Sequence, residues 1–484
     1  MKYILMFLSF SIFLGIFRLF AISTYSVTAF DVGLVIFYIY AAKKIIWDGQ
    51  KLEFPKSFGF YCVCGIVLTV LLSGAAPVLE GNPDKLQQYI KTSLHIFYLL
   101  VFAILCAGLK IKIVDTKRSI QMLMICAVVV HLFGIYQLVA RATDLPLAWL
   151  NISDITLSSS TRGIDPDGLS TDADGITRQI SLNYGSFYRA TSIFSEPSAL
   201  AGFCNFILIC LLVPVLRNEK PFFKSGKFNS FLTILTVVSL FLTFSLTGLV
   251  LFLGIIGFAF ITDRSKSIVK ILKIICFVAV LLFITDFIVE STTQISVAGL
   301  FTQRVGGIIS TYTGGRIEST GGESFYARWN TLTKGVEIWL SYPITGIGLG
   351  CYFFFMRTPE FGFSDSGLFS VLAETGIIGV AMFIGMFAGL FRSWHTFLFT
   401  NLYKKLQPDT RIMVLFALYN LLINFISAIT ANPFVTSYFW LQIGISLVIL
   451  RSAYQECSMP MFQVQIMQTP FKKLLSKSVQ FENV

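Results

Sequence analysis

The sequence predicts an all-α polytopic membrane protein of about twelve transmembrane helices with two long loops on one side, and three observations carry that reading. Hydrophobic residues make up 55% of the 484 and charged ones only 13%, against about 25% charged in a soluble domain. The apolar residues gather in runs of about 18 to 23, the length that carries a helix across hydrocarbon, where barrel strands would alternate over about ten. The lysines and arginines fall in short clusters between those runs, where the positive-inside rule reads orientation. A net charge of +11 might point to nucleic acid, but this distribution argues against such a partner.

Taken in order, the runs lie near 4–22, 27–46, 58–78, 89–109, 119–140, 195–216, 229–245, 247–262, 268–289, 366–391, 411–430 and 434–450. The first follows Met1-Lys2 as a signal peptide would. Arg18 late in that run and the lack of a small-x-small cleavage site favour an uncleaved helix. With both termini in the cytoplasm, every inner connection is basic. They carry Lys43, Lys44, Lys51 and Lys56, then Lys110, Lys112, Lys117 and Arg118, then Arg217, Lys220, Lys224 and Lys227. Arg264, Lys266 and Lys270 follow, then Arg392, Lys404, Lys405 and Arg411, with Lys472, Lys473 and Lys477 in the tail. The chain therefore divides into 1–140 (five spans), 141–194 (first outer loop), 195–289 (four spans), 290–365 (large outer loop), 366–450 (three spans) and 451–484 (cytoplasmic tail). Most of the nine cysteines sit inside apolar runs, where they act as small hydrophobes and imply no disulfide framework.

The two long loops are the exceptions to a pattern of short outer connections, and loops of that length usually carry function. The first contains Asp165-Pro-Asp-Gly168 and Asp172-Ala-Asp-Gly175. An EF-hand reading fails, because it puts Ser170 first and Ser181 twelfth where acidic ligands are needed. The second is rich in glycine at 306–307, 314–315 and 321–322, which predicts a mobile segment rather than a folded one. The tail segment Phe471-Lys-Lys-Leu-Leu-Ser-Lys477 reads as a short basic amphipathic piece on the membrane surface.

Lysine dominates the inner connections, yet the outer cations are mostly arginines: Arg141, Arg162, Arg178, Arg189, Arg304, Arg316, Arg328 and Arg357. Arginine suits bidentate phosphate binding, so an anionic substrate at the outer face would account for the bias. Arg141, Arg162, Arg178, Arg304 and Arg357 are read as loop-solvating. Arg189 heads a stretch that reaches Glu196-Pro197 at the start of a span, and proline suits the first helical turn. Arg328 precedes a helix and then Gly346-x-Gly-x-Gly350, which is weak as a nucleotide motif because no strand comes before it. Asp365 stands at the mouth of the tenth span, with Glu374 about two and a half turns further in. Ionisable groups at such depth cost free energy and are suspected of function. The plainer alternative is that Asp365 and Ser366 cap the helix while Gly376 and Gly379 let neighbours approach.

Together these features resemble the O-antigen ligase/polymerase superfamily of membrane glycosyltransferases. The resemblance rests on Arg189 to Pro197 before a span, Ser245-Leu-Thr-Gly248, and Arg328-Trp329 followed by Pro343, Gly346 and Gly348. It ends with Asp365-Ser366 and then Leu372, Glu374, Gly376 and Gly379. It covers about residues 185–391. Ligases of the family place a histidine where this chain has Asp365; His95 and His131 lie within spans and His395 on the cytoplasmic side. That departure favours the polymerase branch. The block around Asp365 is also similar to the Thr-Asp-Phe block of the peptidoglycan-polymerising shape-and-division glycosyltransferases.

The resemblance implies a GT-C-like enzyme of the bacterial cytoplasmic membrane that joins two polyprenyl-pyrophosphate-linked oligosaccharides without a metal or other cofactor. It implies pyrophosphate-binding roles for Arg189, Arg328 and Arg316 and a catalytic carboxylate at Asp365 or, second, Glu196. Membrane lipids are further partners, and a chain-length regulator follows by analogy. The rival from another class is a flippase or secondary transporter, which calls for deep charges in several spans and helices broken near the midplane. Arg18, Asp31 and Glu374 are the deep charges here, and no internal repeat is evident.

Overall fold

The computed structural model describes residues 1–14, 18–22, 25–150, 183–184, 187–194, 196–262, 268–312, 322–355, 367–430 and 436–464. The chain opens with α1 (Lys2–Ser11), then β1 (Arg18–Ile22) and β2 (Tyr25–Thr28), an antiparallel pair, and α2 (Ala29–Ala42). The first expected span, 4–22, is therefore not one helix. A continuous helix would carry Arg18 within the membrane, and the β-branched and aromatic residues of 18–28 favour the hairpin. Asp31 is not a deep functional charge either. Thr28 N–H donates to its carboxylate at 2.9 Å while Asp31 N–H donates to Thr28 Oγ1 at 3.2 Å, a reciprocal capping box that starts α2.

After β3 (Leu52–Pro55) come α3 (Phe58–Ser73), α4 (Ala75–Glu80), α5 (Pro83–Gly108) and α6 (Ile113–Thr143). The short pair β4 (Asn183–Tyr184) and β5 (Phe187–Tyr188) leads to α7 (Pro197–Arg217), α8 (Gly226–Leu242), α9 (Leu246–Thr262) and α10 (Ile268–Thr293). Then follow α11 (Val297–Tyr312), α12 (Gly322–Ser341), a 3₁₀ turn at Cys351–Phe355, and α13 (Gly367–Phe399). The described chain closes with α14 (Leu402–Lys405), α15 (Pro408–Thr430), α16 (Ser437–Glu456) and β6 (Met461–Val464). A helix stands at each of the twelve expected positions, and seven among the described residues are long and apolar enough to cross a membrane. Within the large loop 290–365, α11 and α12 are helical and α11 contains Gly306 and Gly307, where composition predicts a mobile segment; Gly314, Gly315 and Gly321 lie outside the described residues. Gly306 and Gly307 cost helix stability, but α11 packs against α10 and α12, and tertiary contact overrides propensity.

The bundle is built around α7, whose apolar stretch is 83% buried, against 11% for α10 at the periphery. The tightest contact is the antiparallel seam of α3 and α13, where glycines remove side chains so that backbones meet. A Cβ on Gly389 would lie 2.3 Å from Gly59 N, and one on Gly65 would lie 2.8 Å from the Met382 sulfur. At one end of the bundle the basic connections tie to one another. Lys110 pairs with Glu53 at 3.0 Å, Lys117 with Asp409 at 2.7 Å, and Tyr403 donates to Glu219 at 2.8 Å. There β3 pairs antiparallel with β6, joining the connection between α2 and α3 to the segment after the last helix. The charge asymmetry predicted from sequence is thus an asymmetry of the folded bundle.

Candidate functional site

At the opposite end, the C-terminus of α6 and the N-termini of α7 and α9 converge on the segment that leads into α7. Arg189 lies in it, buried, with its Nε donating to the Thr243 carbonyl at 2.8 Å, while Ala190 N–H donates to the Leu242 carbonyl at 2.8 Å. These bonds pin the segment to the turn between α8 and α9. That turn holds the Ser245-Leu-Thr-Gly248 stretch, and the fold gives it a role. Ser245 Oγ accepts Gly248 N–H at 3.2 Å, capping α9. A Cβ on Gly248 would lie 2.5 Å from Ala201 Cβ, so α9 starts directly against α7, and Asn205 Nδ2 donates to the Gly248 carbonyl at 2.9 Å. Two parallel helix N-termini, each carrying a partial positive charge, therefore stand side by side next to a buried arginine.

Arg141 overturns its sequence reading as a loop-solvating residue. It is 4% exposed, and its guanidinium donates to the carbonyls of Ala148 (Nε, 2.9 Å) and Arg189 (2.7 Å) and to Thr191 Oγ1 (2.5 Å). One face stacks on Trp149 at 4.1 Å, and Trp149 meets Tyr188 edge-on at 5.2 Å. Thr191 Oγ1 in turn donates to Gln137 Oε1 at 3.2 Å. Arg141 thus sets the backbone that presents Arg189. Its signal in the sequence was a cation in the last turn of a span on the side where the topology rule disfavours one. Arg141→Ala is expected to leave the Ala148 and Arg189 carbonyls unpaired in a buried site, costing about 3 kcal/mol, with Arg141→Lys restoring little because it lacks the planar fork. Thermal unfolding of the purified protein in detergent checks this.

Glu196 stands at the N-cap of α7, exposed, its Oε1 accepting Ser198 Oγ at 2.5 Å, with Pro197 in the first turn as predicted. Arg328 lies in α12, two turns before Gly335, and a Cβ on Gly335 would lie 3.3 Å from Phe369 Cβ in the first turn of α13. The start of α13 thus packs on α12, and Asp365 comes two residues before it in the chain. Asp365 and Arg316 themselves lie outside the described residues, as do Asp165–Gly168 and Asp172–Gly175.

The Gly346-x-Gly-x-Gly350 stretch is a turn that docks on α13. All three glycines have positive φ, of 75°, 103° and 79°. Helix α13 itself breaks at Gly376 (φ 65°, ψ −167°). Gly376 is thus more than a point of close approach, whereas Gly379, facing Thr69 of α3, is one. Glu374, just before the break, is 5% exposed and borders a cavity of about 10 Å³ together with Ile66, Thr69, Val70, Leu349 and Thr375. Burial first, and then the neighbouring Glu374 carboxylate, push the Cys351 thiol up to about 12. Glu80, ion-paired with Lys85 at 2.5 Å, raises the Tyr342 hydroxyl further than burial does alone. Of the three histidines, His95 lies on α5 one turn beyond Thr92, which borders Gly350. His95 and His131 are buried, His131 between Thr236 Oγ1 (3.2 Å) and Cys204 Sγ (3.9 Å), and the ring of His395 lies 4.4 Å from that of Phe399.

No curated protein matches the chain. A family model does match, over a range narrower than the resemblance read from sequence: it takes in Ser245–Gly248, Arg328, Asp365 and Glu374 and leaves Arg189 and Glu196 outside. Residues 231–384 match the family described as O-antigen ligase (Wzy_C), which, with the helical membrane fold, supports placing the chain in the O-antigen ligase/polymerase superfamily.

Proposed function

We propose that the protein joins polyprenyl-pyrophosphate-linked oligosaccharide repeat units into a surface polysaccharide, an O-antigen, capsule or exopolysaccharide, at the outer face of the cytoplasmic membrane. The observation that carries this reading is the convergence of Arg189 with the N-termini of α7 and α9, at the end of the bundle away from the basic connections. A departing pyrophosphate carries about two to three negative charges, and helix N-termini with a fixed guanidinium stabilise such charge without reorganising. The family resemblance assigns Arg328 and Arg316 of the large loop to the same phosphate charge. The acceptor hydroxyl attacks the anomeric carbon, the bond to pyrophosphate breaks with its electron pair leaving on the phosphate oxygen, and Asp365 takes the hydroxyl proton. Glu196, seven residues after Arg189 and exposed at the start of α7, is the second choice for that base. The transfer inverts the anomeric centre and uses no metal.

The chain has Asp365 where ligases of the family use a histidine, which favours a polymerase over a ligase. The transporter reading predicts a break near the midplane. Here Arg392, which belongs to an inner connection, lies 16 residues after Gly376, about 24 Å at 1.5 Å per residue, well beyond half of a hydrocarbon core of about 30 Å. The break thus falls toward one membrane boundary.

The test is reconstitution of the purified protein in proteoliposomes with a lipid-linked repeat unit. A ladder of products spaced by one repeat mass, with free polyprenyl pyrophosphate released, is the expected result. A single transfer to a non-repeating acceptor would make it a ligase, and lipid movement without transfer a flippase. The same assay in excess chelator is expected to run at the same rate; loss of activity restored by Mg²⁺ would overturn the metal-independent step.

A further inference from the structure

We propose that Glu374 is a positioning residue: it latches the connection Pro343–Phe355 onto the break in α13, so that α12 and the first turns of α13 are held as one body. The inference deepens the reading above, since the groups so positioned are Arg328 on α12 and Asp365 ahead of α13.

A break inside a helix leaves main-chain groups without their partners one turn away, and in a membrane these must be satisfied by protein. Here the connection supplies them. Ile347 N–H donates to the Ala373 carbonyl at 2.9 Å, Gly348 N–H to the Glu374 carbonyl at 3.1 Å, and Ile377 N–H to the Pro343 carbonyl at 3.0 Å. The two chains meet backbone to backbone. A Cβ on Gly346 would lie 2.3 Å from the Glu374 carbonyl carbon, and one on Gly376 would lie 2.2 Å from the Ile344 oxygen. Those bonds hold the first half of the connection. The side chain of Glu374 reaches the second half, accepting Tyr352 N–H on Oε1 at 3.4 Å at the head of the 3₁₀ turn. Through its carbonyl and its carboxylate, Glu374 thus holds both halves of the connection to α13.

The connection is also fixed to what precedes it. Trp339 Nε1 donates to the Pro343 carbonyl at 2.9 Å and Gly346 N–H to the Tyr342 carbonyl at 2.9 Å, so the turn continues rigidly from α12. Cys351 Sγ donates to the Lys85 carbonyl at 3.4 Å, anchoring the far half on α5. Loosening the contact at Glu374 would let α12 shift against the start of α13 and misplace the groups each carries. A displacement of about 1 Å costs on the order of 100-fold in a transfer that depends on alignment.

The experiment compares Glu374→Gln, which keeps an acceptor for Tyr352 N–H, with Glu374→Ala, which does not, using full-length protein in nanodiscs. Transfer is scored as release of polyprenyl pyrophosphate from the lipid-linked repeat unit, and limited proteolysis reads cleavage within 343–355. Glu374→Ala is expected to lower kcat about 10- to 100-fold with little change in KM and to open the connection to protease. Glu374→Gln is expected to restore both to within about three-fold of the unmodified protein. Should Glu374→Ala fail to fold, Gly346→Ala lifts the connection from its other side and is expected to give the same pair of effects. If Glu374→Gln is as inactive as Glu374→Ala while the connection stays protected, the charge itself is used in the chemistry and the latch is overturned. Unchanged protection and rate in Glu374→Ala also overturn it. An unmodified protein that makes only single transfers sinks the polymerase reading but leaves this comparison intact. If it transfers nothing, the protease arm decides for or against the latch.

Discussion

Asp365→Asn is expected to collapse the surface glycan from a ladder of long chains to single repeat units, with the protein still present in the membrane at its normal level. Asparagine has the same shape but cannot take a proton from the attacking hydroxyl, and removal of a positioned general base costs about 100- to 10,000-fold in rate. Sizing the glycan on a gel, alongside an immunoblot of the membrane fraction, reads both quantities. An unchanged ladder would remove Asp365 from the mechanism and transfer its role to Glu196. Single units that never reach the outer face would point instead to a failure of lipid transport.

The largest structural effect is expected from Gly389→Val. The neighbour is the main chain of Gly59, 2.3 Å from the position a Cβ would occupy, and main chain cannot turn aside as a side chain can. The α3–α13 seam must therefore open along its length, at a cost of about 3 kcal/mol or more. Gly65→Ala is the informative control. Its nearest neighbour is the thioether of Met382 at 2.8 Å, a flexible group that can swing away. The unfolding midpoint in detergent is expected to fall by roughly 5 °C for Gly389→Val and by about 1 °C for Gly65→Ala. Equal losses in the two variants would show that the seam yields as readily at the backbone contact as at the side chain.

Span positions were legible because hydropathy over about twenty residues is a strong local signal, and each expected run contains a helix. The first run misled because the local preference for a hairpin at Arg18–Thr28 outweighed the apolar character of the run as a whole. The large loop misled in the other direction. Gly306 and Gly307 suggest softness, while the contacts of α11 with α10 and α12 that offset them join separate elements and leave no mark in the local sequence. Arg189 was legible from its place ahead of Pro197, yet its partner Thr243 lies 54 residues away, beyond any local pattern. Arg141 was misread for the same reason: its three acceptors include residues 48 and 50 positions on. The glycines at 346, 348 and 350 were legible as a turn, but only the break at Gly376 explains what that turn is for.

The pairing of β3 with β6 has a consequence for how the protein is made. Leu52–Pro55 emerges early and finds its ladder partner only in Met461–Val464. Until Met461–Val464 leaves the ribosome, β3 lacks its ladder partner, while the Lys110–Glu53 and Lys117–Asp409 pairs can already tie that end. The strand pair is thus the last of these fastenings to close. A chain stopped before Met461 would keep the ion pairs and lack the strand clasp.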